Sequence, residues 1–258
     1  MCREAHAFTH RQHHQIYRRY PMKLMHRLAG ITAAFCLMII LFITSIQTVV
    51  YWTPGYFKKE YTKYQVLDQL PPMTMEDLLY VTEEMMNYLK GEREDLHVVT
   101  TMDGEEREFF NEREIAHMED VQELFLKAIF IRRVCLIFCA LMLVFMAVTG
   151  AKLVQVLPPS MCIGTGLFFG LIAALALIIA TDFTRYFILF HHIFFDNDLW
   201  ILDPSTDMLI NIVPEGFFMD TAGRIALTFC GASLLLFGIC LFLTLRNRKS
   251  GKTAPDNA

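Results

Sequence analysis

Four long apolar stretches restrict this chain to one class of fold. They run about Leu28 to Val50, Val134 to Val154, Met161 to Thr181 and Ile225 to Leu245. Each is close to the roughly 20 residues a helix needs to cross a hydrocarbon core of about 30 Å. In lipid, backbone N–H and C=O groups must be satisfied within the segment, so such stretches become helices. The expected fold is mainly α: a polytopic membrane protein with four transmembrane helices and a small extracytoplasmic cap domain. The mean hydropathy of +0.37 over 258 residues reflects these blocks, not a packed soluble core.

The spans divide the chain into a basic N-terminus (1–27), span one (28–50), an acidic cap (51–133), span two (134–154), span three (161–181), an aromatic outer segment (182–223), span four (225–245) and a tail (246–258). Arg3, Arg11, Arg18, Arg19, Lys23 and Arg27 precede span one, and Arg246, Arg248, Lys249 and Lys252 follow span four. Both ends are therefore expected in the cytoplasm, which puts 51–133 and 182–223 on the outer face. Arg132 and Arg133, at the outer end of span two, depart from the rule locally. Tyr51-Trp52 directly after span one reads as an interfacial aromatic anchor, so the span is expected to stay uncleaved. The net charge of -4 sums two opposed balances and says nothing about partners. Six of the seven cysteines lie in apolar blocks and Cys2 in the basic N-terminus, which excludes an outer disulfide framework.

Thr74-Met-Glu-Asp77 is a capping-box start and Gly91 a stop, with Leu78, Leu79, Met85, Met86 and Leu89 at helical spacing between them. Residues 95–104 are rich in β-branched residues and end in Asp103-Gly104, which predicts a short hairpin. Asn111, with Glu114 three residues on, predicts a second N-cap. The helix it opens carries Ile115, Met118, Val121 and Phe125 on one stripe and has no break before span two. Span three is expected to extend through Phe195, Pro204 and Pro214 to punctuate the segment beyond it, and Asp220 or Thr221 to cap span four. Residues 249–258 read as a disordered polar tail.

No hydroxyl or thiol sits in a nucleophile elbow, and there is no Gly-rich phosphate loop and no His-Glu-x-x-His. The outer segments do hold four histidines: His97, His117, His191 and His192. The other five (His6, His10, His13, His14 and His26) lie among basic residues and read as a solvated or headgroup-facing tail. Asp120 lies one turn beyond His117 and could hold its imidazole in one tautomer; the plainer reading is a surface histidine on an acidic helix. His191 stands among Phe187, Phe190, Phe194 and Phe195 near the outer boundary, where an ionisable group is expensive to bury and marks a functional hypothesis. Two histidines with Asp120, Asp196 and Asp198 match no zinc spacing, so no metal is expected.

Two stretches carry a resemblance. E-R-E-x-x-H-M-x-D-V (112–121) and F-H-x-I-F-F-x-N-D-x-W-x-L-D-P-x-T-D-x-L-I (190–210) resemble the lipoprotein intramolecular transacylases of low-GC Gram-positive bacteria, within a wider family of four-span membrane proteins with an extracellular cap. The resemblance covers span one to span four. It implies a bacterial cell-membrane enzyme whose partners are membrane lipids and a diacylglyceryl-modified lipoprotein, with no nucleic acid and no cofactor. It further implies transfer of the sn-2 acyl chain to the α-amino group of the N-terminal cysteine, giving the lyso-form lipoprotein. The family's catalytic pair carries over onto His117 and His191, with His192 the adjacent alternative. Glu114, Asp120, Arg185, Tyr186, Asn197, Asp198, Trp200, Asp203 and Asp207 fall in supporting or substrate-binding positions. The chemistry is compatible: an amine with a pKa near about 8 needs only a general base, and histidine is suited to that at neutral pH. Other readings of the same layout are a non-catalytic sensor or assembly factor, or a lipid hydrolase in which water replaces the amine.

Overall fold

Each apolar stretch folds as part of a long helix. In chain order the elements are α1 (Cys2–Tyr51), α2 (Tyr56–Lys63), a 3-10 turn (Val66–Gln69), α3 (Met75–Lys90), β1 (Val99–Met102), β2 (Glu105–Glu108), α4 (Glu112–Val148), α5 (Leu153–Thr181), α6 (Phe183–Phe194), α7 (Met208–Ile212) and α8 (Glu215–Lys252). The structure, a computed structural model, describes residues 2–252, with side chains described over 22–249 apart from 176, 180, 183 and 184. His6, His10, His13 and His14 and the tail beyond 249 lie outside the described side chains. Among the described residues, α1, α4, α5 and α8 are long and apolar enough to cross a membrane. The protein is a mainly α, polytopic membrane protein.

Several boundaries differ from the sequence pattern, each for a local reason. Span two was expected to reach Val154, but α4 stops at Val148 because Gly150 takes a left-handed φ of 76° and closes the last turn on the Ala147 carbonyl at 3.1 Å. Helix α5 then starts at Leu153, eight residues before the expected Met161, and carries Pro158 and Pro159 inside it. Pro158 has no N–H for the Val154 carbonyl; that oxygen accepts from Asn247 Nδ2 at 2.6 Å instead. Span three does not run unbroken through Phe195. Asp182 leaves the helix at φ -162° and ψ 83°, and its carboxylate accepts from the Arg185 N–H at 3.1 Å to start α6. Neither Asp220 nor Thr221 caps span four, since α8 begins after Pro214, whose carbonyl accepts from the Phe218 N–H at 3.1 Å. Asp220, inside α8, pairs instead with Lys63 and takes the Tyr64 hydroxyl at 2.9 Å.

The chain divides into two units. One comprises 1–41, 134–174 and 231–258. Its helices approach closely at small residues: a Cβ on Gly164 would overlap that of Ala34 and lie 3.1 Å from the Ile31 carbonyl oxygen. His26 is a correction to the solvated-tail reading. It is buried, and its Nε2 donates to Thr149 Oγ1 at 2.8 Å, because the Thr149 hydroxyl proton is already given to the Phe145 carbonyl at 2.6 Å.

The second unit comprises 42–133 and 175–230. Helix α3 starts with the expected capping box, the Thr74 hydroxyl accepting from the Asp77 N–H at 3.1 Å and the Asp77 carboxylate from the Thr74 N–H at 3.3 Å, and it ends at Gly91. Leu78 and Val81 are fully buried, each contributing about 1.5–3 kcal/mol of burial. Their core also holds Tyr61, Met85, Leu89, Leu96, Phe109, Phe110, Met118, Ile212 and Phe217. Strands β1 and β2 pair antiparallel from Val99↔Glu108 to Met102↔Glu105, and the turn has Asp103 at φ 55° and Gly104 at φ 80°. Helix α4 runs from its cap into the apolar stretch without interruption, as its pattern predicts.

Candidate active site

The start of α4 grips the segment that comes after α6. Asn111 Oδ1 accepts from the Glu114 N–H at 3.0 Å, and Glu114 Oε2 accepts from the Asn111 N–H at 2.8 Å, a reciprocal cap. Glu114 is fully buried, and its second oxygen takes the Leu209 N–H, at the start of α7, at 2.5 Å. Asn111 Nδ2 donates to Asp207 Oδ1 at 2.9 Å. Arg113 donates one nitrogen to the carbonyls of Asp198 and, at 3.2 Å, Ile201. One turn beyond His117, Asp120 Oδ2 accepts from Asn197 Nδ2 at 2.8 Å. Residues at successive turns of one helix therefore hold 197–209 along its side, and His117 lies among them.

His117 is buried, with its ring edge-on to Phe195 at 5.5 Å and 73°. Its Nδ1 has no hydrogen-bond partner. Burial holds its pKa below the ordinary imidazole value; the Asp120 charge opposes this, while His191 and Arg113 add to it. The expectation that Asp120 bonds the His117 ring is corrected: Asp120 spends its bond on Asn197 and acts on the ring as a charge.

His191 is half-buried near the end of α6. Its Nδ1 lies 2.8 Å from the Phe187 carbonyl one turn back. A carbonyl only accepts, so Nδ1 carries a proton, and Nε2 is the nitrogen that a neutral ring would present as acceptor. The ring sits between Phe187 at 4.2 Å, Trp200 at 4.6 Å, Phe190 at 5.4 Å and Phe195 at 5.6 Å. Buried Phe195 thus touches both histidines, and His191 is close enough to His117 to act on its charge. His192 is exposed and meets the edge of Trp200 at 5.7 Å. The Trp200 indole N–H is buried without a partner.

The remaining expected residues do other work. Asp207 is buried, which pushes its pKa up, but bonds from the Asp203 N–H, Asn111 and Thr206 with the Arg113 charge outweigh this and leave it lowered. Asp203 is lowered by the Ser205 N–H and hydroxyl, at 2.9 and 2.7 Å; both carboxylates serve to fold the 203–207 turn. Asn197 Oδ1 folds its own turn by taking the Leu199 N–H at 3.0 Å. Asp198 contributes its carbonyl, not its exposed side chain. Arg185, exposed, and Tyr186, half-buried, lie in the first turn of α6, and among the described residues neither side chain joins the cluster. His97 is held elsewhere, by Glu108 across the hairpin at 3.0 Å. Arg132 donates to Gln47 of α1. Two residues went unread in the sequence. Phe195 was one aromatic among many, and the signal for Arg113 was its position one turn before His117.

The cluster offers an imidazole whose Nδ1–H is tied to a carbonyl, a second imidazole biased to the neutral form, and an apolar surround. That set suits general acid–base chemistry on a substrate that supplies its own nucleophile. The sequence model of the family described as lipoprotein intramolecular transacylase Lit matches residues 31–218. No curated protein sequence matches the chain. Its fold is similar to in meso structures of the membrane integral lipoprotein intramolecular transacylase Lit from Bacillus cereus. One, in which a histidine is replaced by arginine, has a TM-score of 0.71 at 23% identity, covering 93% of this chain and 99% of that one. Another, with a histidine-to-alanine replacement, gives 0.70 at 22% identity over 91% and 99%. A third gives 0.67 at 22% identity over 87% and 98%. With the family's sequence model matched over most of its length, the chain belongs to the lipoprotein intramolecular transacylase family and is a multi-pass membrane acyltransferase.

Proposed function

We propose that the protein moves the sn-2 acyl chain of a diacylglyceryl-modified lipoprotein to the α-amino group of its N-terminal cysteine, with His117 and His191 as the catalytic pair. The observation that carries this reading is that two histidines, 74 positions apart in the chain, both pack on the ring of Phe195. In the proposed reaction the neutral amine attacks the ester carbonyl and gives its proton to His191 Nε2. The N–C bond forms, the glyceryl O–C bond breaks, and the proton reaches the departing oxygen directly or through His117. No water is consumed and the pair returns to its starting state. Nucleophile and ester belong to one molecule, so alignment supplies much of the barrier reduction. The charge bias of the two ends further supports cytoplasmic termini with the His117–His191 cluster on the outer face.

The test is co-expression with a diacylglyceryl lipoprotein bearing a free amine, followed by tandem mass spectrometry of its lipidated N-terminal peptide. The reading expects an acyl group on the cysteine nitrogen, one left on the glycerol, and loss of that product in His117→Asn. Free fatty acid would mean hydrolysis. An unchanged peptide from well-expressed protein would overturn the reading.

A further inference from the structure

The carbonyls that Arg113 binds belong to the turn that carries Trp200. Its guanidinium donates to the Asp198 carbonyl and, at 3.2 Å, to that of Ile201, either side of Trp200. The Trp200 ring lies 4.6 Å from that of His191 at 31°, and His192 meets its edge. The turn is otherwise tied to α4 through Asn197 and Asp120 alone among the bonds described for 197–201 that leave the turn. An arginine is suited to this clamp because its fixed fork presents two N–H groups from one nitrogen, and a charged donor strengthens both bonds.

We infer that Arg113 is a positioning residue of the transfer: it clamps the Asp198–Ile201 turn so that Trp200 stays stacked on His191, while its charge faces His117. This rests on the transacylase reading above. The groups acting on His117 are Asp120 and Arg113 of its own helix and His191 of α6; Asp196 and Asp198, on the segment that follows α6, have exposed side chains. A positive neighbour disfavours the imidazolium. Removing it lets His117 protonate at higher pH.

The experiment compares wild type, Arg113→Gln and Arg113→Lys, each in a Trp52→Phe background. Trp200 is then the sole tryptophan of a chain that has two. The substrate is a synthetic peptide with a diacylglyceryl cysteine and free amine, in detergent. Arg113→Gln should red-shift the Trp200 emission and lower kcat about 10- to 100-fold with KM little changed, as expected for a misplaced base. The His117 titration, followed by NMR of the ring, should move to higher pH. Arg113→Lys keeps the charge without the fork, so it should restore that titration but not the full kcat. Unchanged Trp200 emission in Arg113→Gln would overturn the proposal. So would a loss of activity that tracks the folded fraction, with the His117 titration unmoved. If wild type gives no N-acyl product yet the emission shifts, the clamp stands and the transacylase reading falls.

Discussion

Glu114 joins the start of α4 to the start of α7, and its removal has a calculable cost. The carboxylate is fully buried and accepts from the Asn111 N–H at 2.8 Å and the Leu209 N–H at 2.5 Å. Glu114→Ala strands both donors. Each buried, unpaired N–H costs about 1–3 kcal/mol, and relief of a desolvated charge returns part of this, leaving a net loss of roughly 2–4 kcal/mol. Glu114→Gln keeps one carbonyl oxygen but sets its NH2 against the other N–H, for about 1–2 kcal/mol. Thermal unfolding in detergent should therefore rank wild type above Gln above Ala. Hydrogen exchange should show the Leu209 amide losing protection in Ala. A pH signature accompanies it. Burial, ahead of the opposing N–H bonds, raises the Glu114 pKa above its unfolded value, so the folded state holds this proton more readily. Its contribution is fully present below the unfolded value and is lost as pH rises through the folded one. Glu114→Gln should flatten that slope. A Glu114→Ala protein within about 0.5 kcal/mol of wild type, as for an exposed site, with Leu209 still protected, would refute the reasoning.

Three further outcomes are expected from the same geometry. His117→Asn and His191→Asn should each lower turnover about 10²–10⁴-fold in folded protein, whereas exposed His192→Asn should stay near wild type, measured by mass spectrometry of the product peptide. The His117 ring should protonate only below the ordinary imidazole range because burial lowers its pKa; Asp120→Asn, by removing a charge that favours the imidazolium, should lower that titration further, read from the ring signals in an NMR pH series. Gly164→Leu should abolish recovery of folded protein in size-exclusion chromatography, since its Cβ would overlap that of Ala34 and press on the Ile31 backbone.

The spans were legible because a membrane enforces length and apolarity without regard to tertiary detail. Local caps were legible for a similar reason: Thr74–Asp77, Asn111–Glu114 and Asp103-Gly104 satisfy their backbone groups within a few residues. The break at Asp182 was not, because a cap between two apolar helices leaves no change in composition. Nor was the true start of α5, where Pro158 and Pro159 lie inside the helix and Asn247, nearly a hundred residues away, serves the freed carbonyl. Of the candidate site, the histidines stood out as rare ionisable groups near an apolar boundary. What joins them did not, since Phe195 and Arg113 act through a non-local ring contact and through main-chain oxygens that no side-chain pattern encodes.

The four aromatic rings around His191 bear on which molecule reaches it. Solvent is always the most abundant rival nucleophile, and a hydrated base would activate it as readily as an amine. With Phe187, Phe190, Phe195 and Trp200 packed about the imidazole, the faces open to bulk solvent shrink. An amine tethered beside its own ester, by contrast, has an effective molarity of up to about 10⁵–10⁸ M when aligned. The balance between handing a fatty chain on and spilling it as free acid would then be set by hydrocarbon that takes no part in proton transfer, and a smaller ring at any of these positions would move that balance toward loss.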